Sequence, residues 1–358
     1  MLSRKPNGNG RSAPVAVGTG LIALDVVFGE DMMSPIGRWA GGTCGNVMTI
    51  LSFLGWESCP IARLGKNDDA DRLLADLKRW NVRQDFIRCE PKGSTPVIIE
   101  YIRRNSGDGV THRFSLRCPI CGTRLPGYRP VTLAVVEPVA EELKHPKVFF
   151  FDRVSPAALA LARVFADRGA VVVFEPSSMG DERQFARAVS VSHVVKYSHE
   201  RLCGVGVRHD AMPLLEIETR GAAGLRYRSR LPNCATAAWR TISPFEVKDL
   251  RDSAGAGDWC TAGIIKKLAW SGLAGFMETS TAELCHAFSY GQAVAAWSCS
   301  FDSPRGGMYD VRKAEFEEQV AKILDSRSIA SIPGAPARIR RQRQGKTHSH
   351  LCATCRAS

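Results

Sequence analysis

The chain has 358 residues, 44% hydrophobic and 23% charged, with a formal net charge of +12. This is the composition of an ordinary globular enzyme, long enough for one large α/β domain or one domain with appendages. No apolar run reaches the roughly 18 residues that span a bilayer, so no membrane span is expected.

The charge is uneven. No acid follows Asp325, while Arg327, Arg338, Arg340, Arg341, Arg343, Lys346 and Arg356 do. The basic balance therefore describes residues 331–358 more than the body of the chain. A solvated tail is the simpler reading; contact with nucleic acid through it is the less favoured one. The segment Met1–Pro14 is polar, basic and Gly/Asn-rich, without the apolar core of a secretory signal. It reads as a disordered lead-in, and a cytoplasmic location is expected. Of the 12 cysteines, most (Cys44, Cys59, Cys203, Cys260, Cys285, Cys299) sit in apolar or small-residue contexts and read as buried thiols.

In chain order, Val15–Gly20 reads as a buried strand ending in glycine, and apolar character continues through Leu21–Val27 with one acid, Asp25. A glycine cluster, Ala40-Gly41-Gly42-Thr43-Cys44-Gly45-Asn46, leads into a helical pattern of Val47, Ile50, Leu51 and Leu54 that stops at Gly55. Cys59–Leu64 is a short strand. Asp68–Trp80 is an amphipathic helix, with Ala70, Leu73, Leu74, Leu77 and Trp80 at helical spacing. Val97–Arg103 and Val110–Leu116 alternate around an Asn/Gly/Asp turn and predict a hairpin. Arg117–Pro130 reads as an irregular insert.

From Val148 onward strands and helices alternate. Strands are predicted at Val148–Phe151, Val171–Phe174, His193–Lys196 and Leu214–Glu218. Helices are predicted at Pro156–Arg168, Arg183–Val189, from Trp259, and at Thr281–Trp297. Such alternation implies a mostly parallel sheet covered on both faces. The domain is expected to end near residue 330.

The segment Asp252-Ser253-Ala254-Gly255-Ala256-Gly257-Asp258 carries the most chemistry. A Gly-rich turn opening a helix aims backbone N–H groups and the positive end of the dipole at one point, a ready anion site. An acid there faces incoming negative charge. Asp258 makes sense as a base that takes a proton from an attacking hydroxyl, although a first-turn acid favoured by the dipole is the bland alternative.

This segment, together with the Gly41-Gly42…Asn46 cluster upstream, resembles the two signatures of the PfkB carbohydrate kinase family, over about residues 15–325. The resemblance implies a three-layer α/β/α ribokinase-like domain with a mostly parallel central sheet and a small β lid, here about residues 95–130. It implies transfer of the γ-phosphoryl of ATP, with Mg²⁺, to a hydroxyl of a sugar or nucleoside. Asp258 would be the base and the N–H groups of Ala256, Gly257 and Asp258 the anion hole, in the catalytic turn that begins at Gly255. Asp252 would sit near phosphate and Mg²⁺. Asp25, Gly41, Gly42 and Asn46 would bind the sugar, with Arg113 or His112 reaching in from the hairpin. Thr219-Arg220-Gly221-Ala222-Ala223-Gly224 resembles the family's nucleotide turn, and Ser303-Pro304-Arg305-Gly306-Gly307 lies where the family wraps adenine. Arg305 would neutralise phosphate or be an ordinary exposed arginine. Lys196-Tyr197-Ser198-His199-Glu200-Arg201 departs from the family's Lys-x-Asn-x-x-Glu: Ser198 replaces Asn, and Glu200 is one place early. A homodimer through the lid is the weak expectation the resemblance carries. A catalytically weak kinase-like binding protein is the competing reading.

Cys118-Pro119-Ile120-Cys121-Gly122 is a metal-knuckle pattern, and Cys352-Ala353-Thr354-Cys355 supplies a second pair. Together they are expected to form a structural zinc site, with His348 and His350 in reserve. The dinucleotide pattern Gly-x-Gly-x-x-Gly is missing after the first strand, and no Gly-x₄-Gly-Lys-Ser/Thr loop occurs.

Overall fold

The computed structural model describes residues 12–29, 35–104, 110–202, 212–247, 249–326, 328–329 and Cys355. Thirteen strands are used below: β1 (Val15–Thr19), β2 (Ala23–Phe28), β3 (Pro35–Gly41), β4 (Glu57–Gly65), β5 (Ile87–Glu90), β6 (Val97–Arg104), β7 (Val110–Ser115), β8 (Val148–Phe151), β9 (Val171–Phe174), β10 (Val194–Ser198), β11 (Leu215–Thr219), β12 (Leu225–Ser229) and β13 (Thr236–Ile242). The helices are α1 (Thr43–Phe53), α2 (Asp68–Arg79), α3 (Val136–Glu142), α4 (Pro156–Asp167), α5 (Glu182–Val191), α6 (His199–Leu202), α7 (Ala256–Leu268), α8 (Gly272–Met277), α9 (Thr281–Ser298), α10 (Gly306–Asp310) and α11 (Lys313–Ser326).

A nine-stranded sheet runs in the order β13-β12-β11-β10-β9-β8-β1-β4-β5. From β5 to β11 every pairing is parallel; β12 and β13 add an antiparallel edge. The short apolar strands β8 and β9 are buried on both faces, as central parallel strands must be. Their alternation sorts the core. Val148, Phe150, Val171 and Val173 pack on the side of α1, α7, α9 and α11, while Phe149, Phe151, Val172 and Phe174 pack on the side of α3, α4 and α5. The result is the expected three-layer α/β/α body.

β1 sits between β8 and β4, so successive strands depart in opposite directions from the β1/β8 pair. In open α/β sheets ligands bind outside the carboxyl ends of the strands at such a switch point. The carboxyl ends of β1, β8 and β9 bring Gly20, Asp152 and Glu175 to that place.

The lid is a separate four-stranded sheet of order β3-β2-β6-β7. The predicted hairpin is therefore half of it. β2 and β6 pair in parallel, with Asp25 opposite Ile98 and Val27 opposite Glu100. One face of the lid thus carries Asp25, Val27 and Glu100. The other carries Leu24, Val26, Phe28, Val97 and Ile99, packed with Cys118, Leu125 and Cys355. Sequence periodicity missed β3, β5, α3, β12 and β13. Glycine and Pro35 hide the alternation of β3, and β13 buries none of its residues, leaving no apolar stripe to read.

Helix α7, which carries Asp258, lies unusually close to α9. A methyl group at Gly263 would fall 2.8 Å from Val294 Cγ2 and 2.9 Å from Gly291 Cα; one at Gly291 would fall 2.9 Å from the Cys260 carbonyl oxygen. Backbone cannot yield as a side chain can. Gly263→Ala should cost about 1–3 kcal/mol through overpacking, read as a lowered urea midpoint. An unchanged midpoint would contradict this close approach.

Candidate active site

Gly255 takes a left-handed conformation, φ 74°, and α7 begins at Ala256. The helix starts three residues earlier than its apolar pattern announces, because Ala256 and Gly257 carry no hydrophobic signal. Asp258 thus lies inside the first turn. The N–H of Ala256 bonds back to the Ser253 carbonyl at 3.2 Å, which removes Ala256 from the expected anion hole. Among the described residues the N–H groups of Gly257 and Asp258 have no acceptor, and Gly257 is exposed. These two donors, with the helix dipole behind them, face open space.

Asn46, on α1, donates from Nδ2 to Asp258 Oδ2 at 2.8 Å. Its Oδ1 accepts from Arg305 Nε at 3.1 Å. Arg305 is not the ordinary exposed arginine that was one of the two expectations. It is buried, pairs with Asp76 at 2.7 Å, and also donates to the Ala40 carbonyl. Asp76 in turn accepts from Tyr309 OH at 2.8 Å and the Ala40 N–H at 2.9 Å. Beneath α7, Lys196 is fully buried and bonds Glu175 at 2.6 Å and the Gly257 carbonyl at 3.2 Å. Thr261 donates to Glu175 at 2.5 Å. Burial, then the Glu175 charge, push the Asp258 carboxyl up to about 8; Asn46 and Lys196 pull the other way.

The lid closes over this point. Asp25 is buried, accepts weakly from the Gly42 N–H at 3.4 Å, and its Oδ1 has no donor among the described residues. A side chain at Gly41 would place Cβ 1.8 Å from Asp25 Oδ2, so glycine is required for that carboxylate to stand there. Burial pushes Asp25 up to about 7. Glu100, on the same lid face, is fully buried with neither oxygen receiving a hydrogen bond; burial, then Asp252 and Asp25, raise it well above the usual carboxylate range. Asp252 accepts from the N–H groups of Ala254 at 2.8 Å and Ser303 at 3.1 Å. His112 Nδ1 lies 3.7 Å from Asp252 and 3.3 Å from Ser253 Oγ. The expectation for Arg113 is corrected: strand alternation turns it to the opposite lid face, where it is exposed, and His112 is the hairpin side chain at the site.

The nucleotide-side candidates lie along the neighbouring strand ends. Ser198 and Thr219 are register partners at the ends of β10 and β11. Gly221 and Gly224 both have positive φ in the following turn, and Gly224 packs against the Ile242 carbonyl. Gly306 opens α10, and Glu200 is exposed on α6. Sequence reading missed Glu100, Glu175, Asp152, Asp76 and the role of Arg305. The signal for Glu100 was present as an acid on the apolar alternation of β6. Asp152 and Glu175 each follow a predicted buried strand directly.

Away from this cleft, Cys118, Cys121 and Cys355 bring their sulfurs within 4.8 Å of one another. It is the one such group of three or more potential metal donors among the described residues. Cys352 lies outside the described residues.

The acids of the site make stability depend on pH. Asp25, Asp152 and Asp258 are raised to about 7, 6 and 8, burial being the main cause in each. Their folded values exceed the unfolded ones, so the folded state holds more protons between about pH 4 and 8 and loses stability as pH rises through that window. The ligand-free protein should melt several degrees higher at pH 5.5 than at pH 8, and Asp258→Asn should reduce the difference. A melting temperature that rises across the window would refute the assignment.

No family model matches the sequence, and no curated protein does. Solved structures do. Fructokinase with bound ATP from Xylella fastidiosa aligns with TM-score 0.67 at 16% identity, over 86% of this chain and 98% of that one. Aminoimidazole riboside kinase from Salmonella enterica, complexed with aminoimidazole riboside and an ATP analog, aligns with TM-score 0.62 at 18% identity, over 86% and 99%. The nucleoside kinase of Burkholderia thailandensis in complex with inosine aligns with TM-score 0.60 at 16% identity, over 86% and 97%. Body and lid together give this chain the fold of the ribokinase-like sugar and nucleoside kinases.

Proposed function

We propose that the chain transfers the γ-phosphoryl group of ATP to a hydroxyl of a neutral sugar or nucleoside. The observation that carries this reading is one juxtaposition. The Asp258 carboxylate is steered by Asn46 and stands in the same helix turn as the two N–H donors of Gly257 and Asp258. A hydroxyl bound against Asp258 would lose its proton to that carboxylate, while the N–H pair would receive the negative charge developing on the transferred group.

The rest of the cleft fits the two substrates. Asp25 and Glu100 have oxygens without donors, and sugar hydroxyls would supply them. The same acids repel a carboxylated sugar, which narrows the class to neutral or cationic polyols. The nucleotide would lie along Ser198, Thr219, Gly221–Gly224 and Gly306, by the motif resemblance. Magnesium ion, which screens the phosphates when bound with ATP, would find Asp252 and Glu175 near the anion hole. Magnesium needs only one or two carboxylates besides phosphate and water. Lys196 would keep Glu175 in place rather than bind phosphate itself.

The test is ATP consumption with Mg²⁺ against a panel of neutral sugars, sugar acids and nucleosides. Turnover is expected on a neutral member. Asp258→Asn should lower kcat by about 10²–10⁴-fold with a much smaller change in KM. The wild-type kcat/KM should rise with pH along an acidic limb that Asp258→Asn removes. Turnover confined to sugar acids would overturn the substrate class, and an active Asp258→Asn enzyme would overturn the base.

A second prediction concerns the buried relay. Arg305→Met leaves Asp76 charged and unpaired and frees Asn46. Removing one partner of a buried ion pair costs about 3–5 kcal/mol, so the variant should melt well below the wild type. Arg305→Lys should regain part of that loss but not the bond to Asn46, and its kcat should fall more than its affinity for ATP. Equal kinetics in Arg305→Lys and wild type would show that Asn46 needs no such support.

A further inference from the structure

We propose that Cys118, Cys121 and Cys355 bind a zinc ion that staples the C-terminal segment to the outer face of the lid sheet. The geometry of the sulfurs is the first argument. Cys118 Sγ and Cys355 Sγ are 3.7 Å apart. A disulfide would require about 2.05 Å. A tetrahedron with zinc–sulfur bonds of about 2.3 Å has an edge of about 3.8 Å. The observed spacing is that of two ligands of one zinc ion, between residues 237 positions apart in sequence.

The second argument is the shape of the loop. The Cys118 N–H donates to the Thr123 carbonyl at 2.8 Å, and the Gly122 N–H donates to the Cys118 carbonyl at 2.9 Å. Gly122 has φ 73°, and Arg117 pairs with Arg124 across the base. The turn is a knuckle that returns on itself around one point.

The third argument is position. The lid face bearing Leu24, Val26, Phe28, Val97 and Ile99 lies opposite the face that carries Asp25 and Glu100. Cys118, Leu125 and Cys355 complete that outer cluster. Cys355 is buried there, with 4% exposure. Four strands with one apolar face need a covering element to hold a single shape. The zinc site would pin that cover from behind, and through β2 and β6 fix the height of Asp25 and Glu100 above Asp258. Binding releases the thiol protons to solvent.

The inference stands apart from the phosphoryl-transfer reading and is tested without a substrate. The full chain is expressed with added zinc, purified without chelator and measured by mass spectrometry for metal content. About one zinc per chain is expected. Cys355→Ser, a change at one position beyond α11, should retain most of the far-ultraviolet circular dichroism of the wild type while losing most of its zinc. Cys89→Ser, an exposed cysteine outside the cluster, should keep the full amount. Cobalt added to the metal-stripped wild type should give a thiolate-to-cobalt charge-transfer band that Cys355→Ser weakens. A wild type with neither zinc nor that band overturns the proposal, as does a Cys355→Ser variant with undiminished zinc.

Discussion

Four side chains from four parts of the chain hold the cleft in register: Asp76 of α2, Arg305 before α10, Asn46 of α1 and Asp258 of α7. They form one unbroken series of hydrogen bonds. Its centre is a guanidinium with 2% exposure. Taking that charge out of water is costly unless it is paired, and the planar fork serves a carboxylate, a carbonyl and an amide oxygen together through Nε and Nη2, while Nη1 has no hydrogen-bond partner among the described residues. A lysine in the same place would be a point charge and could not reach all three. The arrangement fixes which way the Asn46 amide faces: its oxygen is held by Arg305, so its nitrogen must face Asp258. The orientation of the Asp258 carboxylate, which in the proposed reaction would meet a hydroxyl, thus depends on a residue on the far side of the turn.

The concentration of acids is the complementary constraint. Asp25, Glu100, Asp152, Asp252 and Asp258 gather where the lid meets the body. Burial without a full set of donors raises the free energy of the closed, empty state, and it shifts the proton affinity of Asp25, Glu100, Asp152 and Asp258 upward. In the proposed function a polyhydroxylated ligand would carry the missing donors. Substrate and lid would then be coupled by electrostatics, the filled cleft needing fewer protons than the empty one. Rigid glycine positions serve the same end, since Gly41 leaves the space in which Asp25 stands.

Much of the body was legible in the sequence, for physical reasons that also explain the gaps. Strands β8 and β9 are uninterrupted apolar runs, and α2 shows its buried stripe, an Asn67 cap and acids in its first turn. The Gly255–Asp258 turn was legible because tiny residues beside an acid have few structural uses. What was hidden depends on partners far away in the chain. Arg305 looks like any loop arginine until Asp76, 229 residues earlier, is placed against it. Glu100 is one acid in an alternating strand, and only the pairing of β6 with β2 shows which side it faces. The antiparallel strands β12 and β13 give no apolar run, because β12 is buried through Arg228 and Ser229 as well as Leu225 and Tyr227, and β13 buries none of its residues. Cysteine spacing revealed the knuckle, whereas the partnership with Cys355 needed the tail and the lid in one frame.

The altered Lys196–Arg201 stretch can be weighed in the same terms. Its conserved-looking member, Lys196, does not face the cleft; it donates to the carbonyl of Gly257, as does Thr261. That carbonyl and the N–H of Asp258 belong to one peptide group. Two donors on its oxygen draw electron density away from its nitrogen and strengthen the N–H as a donor, the cooperative effect expected in a low-dielectric interior. Glu175 neutralises Lys196 and ties it to Thr261, so the polarising pair is fixed without adding a free charge beneath the helix. The two N–H donors are therefore supported from under α7, and of the three altered positions Arg201 also acts on the Asp258 carboxyl, its charge pulling that carboxyl's proton affinity down. Those three lie at the end of β10 and on α6. In the proposed reaction Ser198 and Glu200 would bear on how the nucleotide is held, whereas Arg201 would also help keep the Asp258 carboxylate charged.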